Sequence, residues 1–253
     1  MKNTHKIAGA LLLSTLVLGV AMNSETKAAP EQTGEGKVEF TQNTDSLTPP
    51  ITPPGTNEPE IIEPEPNTDP IPLKIVSVTD MDFGMKDILA DGQDQTYPVL
   101  PFEAATKENP DETVTMAHFV RYQDVRVDGE ANHHSITAAL TDQFDNGGTK
   151  LTGADLVYKN AHLMTANNTA TMPSAAALQT TFQLKEDGEA VPVLSNTEEG
   201  KGFGVFDIAF GEYVEGTDYD GVDLNVPGAT VKKAGIYTAT VTWTIEDART
   251  PAP

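Results

Sequence analysis

Cysteine is absent from the sequence, so disulfide bonds, thiolate metal ligands and a cysteine nucleophile are all excluded. Basic residues are scarce, because 16 Lys and Arg stand against 38 Asp and Glu and give a net charge of −22. A protein of this charge repels nucleic acid and other anionic polymers at long range. The sequence therefore predicts no nucleic-acid partner.

Long apolar runs are also missing, except at the amino terminus. Lys2 and Lys6 precede an apolar stretch from Ile7 to Met22, and the small residue Ala28 follows. This arrangement is typical of a secretory signal peptide covering residues 1–28. Since no later segment is long enough to span a bilayer, we expect a secreted protein without a membrane span after cleavage.

The next segment, residues 29–72, is rich in proline and acid. Half of the 18 prolines lie between Thr41 and Pro72, where no lysine or arginine occurs. Proline fixes φ and removes backbone donors, and neighbouring carboxylates repel one another. The composition predicts a disordered, extended spacer outside the folded domain.

From Leu73 to Pro253 the sequence changes to short alternating apolar segments separated by turn residues, and no segment has helical periodicity over twelve residues. Many short strands of this kind favour an all-β chain, here a single Ig-like β-sandwich over residues 73–253. Asn160 to Ala177 is expected to be a long loop with at most one helical turn at its end. The predicted strands are 73–78, 113–127, 135–141, 154–158, 180–184, 205–210, 221–226 and 235–245.

The last predicted strand contains the only tryptophan. Successive side chains of a strand point to opposite faces, so Trp243 and Ile245 share one face while Thr242 and Thr244 share the other. Packing of Trp243 into the core is favoured, and stacking of its ring on carbohydrate is the alternative.

Catalytic and metal-binding patterns are absent from the sequence. Beyond the predicted signal peptide, the four histidines at 118, 133, 134 and 162 form no HExxH or HxH motif, and neither GxSxG nor SxxK occurs. Residues 218–223 resemble an EF-hand loop only in part, which leaves an irregular surface calcium site open. We expect no catalytic residues, no metal and no cofactor. Without an LPxTG signal, wall attachment is expected to be non-covalent.

Six segments of the chain together carry a resemblance to a known family. In chain order they are Val78–Gly84, Tyr122–Arg126, Ser135–Ala138, Leu151–Ala154, Val222–Pro227 and Gly235–Ile245. By these segments the chain resembles the WxL-domain surface proteins of low-GC Gram-positive bacteria over roughly residues 73–253. Its proline-rich acidic segment is also common in that family.

The resemblance implies two W-x-L motifs as binding residues. The second is Trp243-Thr244-Ile245, in which isoleucine replaces leucine. The first is His134-Ser135-Ile136, in which histidine replaces tryptophan. If the two motifs meet on neighbouring strands, His134 is expected to lie near Trp243 and to give that patch a pH dependence.

The function that the resemblance implies is a non-enzymatic module of the cell surface and cell wall. Its expected partners are peptidoglycan, bound non-covalently, and WxL-interacting type surface proteins. The alternative is an adhesin or a structural subunit of a surface complex that recognises host or sibling proteins through strand edges or an apolar patch. A secreted hydrolase is disfavoured, because the sequence contains no recognisable set of catalytic residues.

Overall fold

A computed structural model of the chain describes residues 36–41, 47, 49–89 and 91–249. The predicted signal peptide lies outside these residues. The chain divides into two units, residues 1–40 and 41–253. The described part of the first unit, residues 36–40, is exposed and forms neither helix nor strand.

The second unit is built from antiparallel strands, which confirms the all-β prediction. Its only described helix is one 3₁₀ turn, Ala175–Ala177, at the end of the predicted loop. The strands are β1 (Leu73–Val78), β2 (Gln95–Pro98), β3 (Phe102–Ala105), β4 (Thr113–Met116), β5 (His118–Asp124), β6 (His134–Asn146), β7 (Thr149–Lys150), β8 (Asp155–Tyr158), β9 (Ala161–Met164), β10 (Phe182–Leu184), β11 (Val191–Asn196), β12 (Gly204–Phe210), β13 (Val222–Val226) and β14 (Thr238–Asp247).

These strands form three sheets and a hairpin. The first sheet has the order β1-β5-β12-β9, and the second has the order β10-β8-β13-β2. The third, which we call the motif sheet, has the order β11-β6-β14, and the short β7 also pairs with β6. Strands β3 and β4 pair only with each other among the described strands. Whether this arrangement is an Ig-like sandwich stays a prediction.

One large apolar core joins the three sheets, because their inward residues alternate with outward polar ones. On the central strand β6, for example, Ile136, Ala138 and Leu140 are no more than 1% exposed. They pack in the same cluster as Tyr122 and Phe206 of the first sheet. The core therefore lies behind the strands that carry both motifs.

The proline-rich segment packs against the other face of the first sheet. Ile51 and Ile61 are each 3% exposed and form a second apolar cluster with Val76, Phe102 and Phe119. Burying an aliphatic side chain contributes about 1.5–3 kcal/mol. These two isoleucines thus contribute to holding the segment on the sheet.

A buried ion pair fastens the same segment. Arg121 donates to Asp207 at 2.7 and 3.0 Å, and both side chains are almost fully buried. The guanidinium also donates to the carbonyl oxygens of Pro50 and Thr52, at 2.9 and 3.1 Å. The amide of Gly55 donates to Asp207 at 2.9 Å. We call these five residues the arginine clasp.

The predicted domain boundary at Leu73 therefore needs correction for the residues that the structure describes. Residues 49–72 belong to the folded unit, and the carbonyl of Leu47 also accepts a hydrogen bond from the buried Gln123 side chain. Proline-rich backbone has free carbonyls but few donors. Arg121 and Gln123 supply the missing donors from the first sheet. A spacer over the remaining residues from 29 onwards stays a prediction.

Candidate functional site

The two motif segments lie side by side on the antiparallel strands β6 and β14. Trp243 is opposite Ala138, Ile245 is opposite Ile136, and Asp247 is opposite His134. His134 and Trp243 are therefore four residues apart along the strand direction, roughly 13 Å. The expectation that His134 lies near Trp243 is wrong for this reason, although the motifs do occupy neighbouring strands.

Trp243 faces the core and belongs to a group of aromatic rings. Its ring centroid lies 5.7 Å from that of Tyr158, 5.8 Å from that of Phe210 and 6.1 Å from that of Phe182. Each such pair contributes about 0.5–1.5 kcal/mol beyond simple burial. Because β14 is an edge strand of its sheet, the side chain stays half-buried, while its Nε1 is buried without a hydrogen-bond partner. This geometry favours the core interpretation over carbohydrate stacking.

The other motif residues divide between the two faces of the sheet. Ile136 is fully buried and Ile245 is half-buried, and both contact the core. Thr244 is exposed and Ser135 is half-buried on the opposite, outward face. Each motif thus presents its middle residue to solvent and its outer residues to the core.

His134 occupies a polar environment that differs from that of Trp243. The side chain is 0% exposed and its ring lies edge-on to Tyr122, with centroids 5.3 Å apart. Its Nδ1 is 3.2 Å from a carboxylate oxygen of Asp124 and 3.0 Å from the carbonyl of Asn132. A Cβ at Gly202 would approach His134 Cε1 to 3.0 Å and the Asn132 carbonyl to 2.5 Å. The site is closely packed around an imidazole.

Asp124 is the centre of this polar cluster. Arg126 donates to it through Nε at 2.8 Å and Nη2 at 2.6 Å, and Asn132 Nδ2 donates at 3.0 Å. Burial alone would raise the pKa of Asp124, but hydrogen bonds from Arg126, His134 and Asn132 outweigh it and lower the pKa to about 2. Asp124 is therefore a buried, permanently ionised anchor at neutral pH.

The cluster also holds the end of β14. Arg126 Nη1 lies 2.7 Å from Asp247, and Arg249 forms an ion pair with the same carboxylate at 2.5 Å. Hydrogen bonds from Arg249 and then Arg126 hold the pKa of Asp247 below its usual range. Sequence reasoning missed these roles, although Asp124 and Arg126 belong to a segment that carried the resemblance. Their spacing of two residues was the available signal.

A family model described as a WxL domain, surface and cell wall-binding, matches residues 27–249. The chain belongs to the WxL domain family. It is accordingly a protein of the cell surface and cell wall. Searches of curated proteins and of solved structures gave no match.

The carboxylates of this WxL domain do not assemble a metal centre in the part of the chain that the structure describes. No group of three or more His, Cys, Asp or Glu residues there has the geometry to hold an ion. In the segment that partly resembles a calcium loop, Asp220 and Asp223 both bind the ammonium of Lys159. A lysine at this position competes directly with a cation.

Two further features of the WxL domain bear on what it contacts. None of its described residues forms a helix long and apolar enough to cross a membrane. A loop after β1 exposes three large apolar side chains, with Met85 at 98%, Ile88 at 52% and Leu89 at 51%. Clustered apolar exposure of this kind is typical of protein-binding surfaces.

Proposed function

We propose that the protein is a non-enzymatic module that binds peptidoglycan non-covalently. The observation that carries this proposal is the match to a cell wall-binding surface family over residues 27–249, which include both motif strands. The net charge of −22 on the protein favours a receptor that is not itself anionic. Teichoic acids are anionic and would be repelled unless a cation bridges the two.

The polar cluster supports a binding role over a hydrolytic one. His134 and Asp124 are paired as a general base and its orienting carboxylate would be. However, both side chains are 0% exposed, and Asp124 already accepts from Arg126 and Asn132. A base without access to substrate cannot take a proton from it, so the pair stabilises the fold.

The test is sedimentation of the purified protein with peptidoglycan sacculi. We expect it to pellet with sacculi stripped of teichoic acid at least as well as with untreated sacculi, and to be released by a chaotrope. Binding that is lost on removing teichoic acid would contradict the proposal. So would attachment to cells that survives boiling in detergent and yields only to muramidase.

A second candidate function, recognition of WxL-interacting type surface proteins within a complex, is favoured by the exposed apolar loop. Substituting Met85→Ser together with Ile88→Ser should abolish capture of such a partner from a surface extract and leave sacculus binding unchanged. If the double variant retains the partner, this loop is not the contact.

A further inference from the structure

The outward face of the motif sheet carries hydroxyl side chains on all three of its main strands. We call these residues the hydroxyl face. They are Ser195 on β11, Ser135, Thr137 and Thr141 on β6, and Thr238, Thr240, Thr242 and Thr244 on β14. Each is exposed or half-buried, and no described segment covers them.

Strand pairing places these hydroxyls in an array that is regular around Thr242 and Thr244 and is interrupted by register shifts near Thr238 and Thr240. Thr244 is opposite Thr137, Ser135 is opposite Ser195, and the hydroxyls of Thr141 and Thr242 are 2.8 Å apart. Neighbouring strands are about 4.8 Å apart and alternate residues of a strand about 6.8 Å. Threonine is also stiff at χ1, so a ligand would immobilise these groups at little entropic cost.

The centre of the hydroxyl face is uncharged, although the chain carries −22. Three carboxylates of β6 and β14 adjoin the array towards its ends, because Glu246 is opposite Ser135, Asp142 is opposite Thr240 and Asp145 is opposite Thr238. The central residues Thr137, Thr242 and Thr244 have no carboxylate opposite them. The outward positions of the second sheet differ, because they include the carboxylates of Asp155 and Asp223. Threonine is a good strand former anywhere, but high strand propensity does not explain the absence of charge at the centre of the face.

We propose that the hydroxyl face binds the glycan strands of peptidoglycan. A glycan repeats hydroxyl, ether and acetamido groups along its length, and a threonine hydroxyl can both donate to and accept from them. Each such hydrogen bond is weak on its own, but several act together along a polymer. This inference rests on the proposed function and specifies where the wall polymer binds.

The same geometry assigns different tasks to the residues of each motif. Ser135 and Thr244, the middle residues, belong to the hydroxyl face, whereas Trp243 faces the core. Trp243 fixes the position of β14 through its contacts in the core, and the neighbouring Thr244 contacts the polymer on the opposite face. A chain with histidine at the first motif position therefore keeps the complete hydroxyl face.

The test compares two double variants of nearly equal shape. Thr242→Val with Thr244→Val removes two hydroxyls but keeps β-branching, and Thr242→Ser with Thr244→Ser keeps the hydroxyls. We expect the valine variant to bind sacculi about tenfold more weakly or worse and the serine variant to bind nearly as well as the parent. Thr113→Val, at an exposed position of β4, is the matched control and should bind normally.

Glycan strands freed of stem peptides by an amidase separate the sugar from the peptide as receptor. The parent protein should bind them, and its backbone amide NMR shifts should change mainly along Ser135–Thr141 and Thr240–Glu246. Shifts centred elsewhere would overturn the proposal even if the valine variant fails to fold.

The outcomes distinguish this inference from the proposed function. If parent and valine variant bind sacculi equally, the hydroxyl face is not the site and wall binding stands. If the parent binds intact sacculi but not the freed glycan, the receptor is the stem peptide and the inference fails. If the parent does not bind sacculi, both proposals fail.

Discussion

His134 and Trp243 occupy equivalent motif positions on the same face of adjacent strands, yet they are stabilised by different interactions. Trp243 is half-buried and packs against three aromatic rings. His134 is fully buried and is held by Asp124, which in turn accepts hydrogen bonds from Arg126. The difference shows that equivalent motif positions of one sheet can be stabilised by a polar cluster at one strand and by ring packing at the next.

The strongest test of this comparison is Asp124→Ala. It removes the buried carboxylate of Arg126, leaves only the exposed Asp247 as its anionic partner, and should lower the free energy of unfolding by about 3–5 kcal/mol. Urea denaturation measures the change. Asp128→Ala is the control, because its ion pair with Arg249 is exposed and such pairs contribute little. Equal stabilities of the two variants would mean that the polar cluster does not stabilise the fold.

Trp243→Ala tests the aromatic side of the comparison. Removal of a buried tryptophan costs about 3–5 kcal/mol, and half-burial places Trp243 at the lower end, about 3 kcal/mol. Trp243→Phe should restore most of the loss. We also expect blue-shifted emission from the parent that resists iodide. If the parent emits at long wavelength and iodide quenches it freely, and if Trp243→Ala melts at the same temperature as the parent, the ring lies outside the core.

His134→Trp places a tryptophan within the polar cluster of the first motif. The larger ring must displace the chain near Gly202 and Asn132, so the variant should be less stable than the parent by about 2–3 kcal/mol. Thermal unfolding by circular dichroism measures this. A variant as stable as the parent would show that the two motif positions are interchangeable and that the packing around His134 is not restrictive.

Acid should weaken the polar cluster and leave the aromatic one intact. Folding lowers the pKa of Asp124 from 3.8 to about 2. Its contribution, about 2 kcal/mol, is therefore complete above about pH 4 and is lost as the pH falls through about 2. Urea denaturation at pH 6 and at pH 2.5 measures the loss. The Asp124→Asn variant should lose less stability than the parent between pH 6 and pH 2.5. An equal loss in this variant would mean that other carboxylates cause the pH dependence.

Alternation over a long strand was enough to predict β14 and the inward position of Trp243, because that pattern is local. Strand β11 was not predicted; it contains Pro192 and lies at the edge of its sheet, where proline is tolerated. The partners of His134 and of the proline-rich segment could not be predicted. Arg121 is about seventy residues from Thr52, and nothing local relates them.

The arginine clasp also has a mechanical consequence. Tension entering the folded unit from its amino-terminal side reaches Pro50, Thr52 and Arg121 before it reaches β1. The clasp and the two buried isoleucines would then rupture first, and the slack of residues 49–72 would be released while the sheets stayed closed. Under such tension the chain would lengthen by this segment before its sheets unfold.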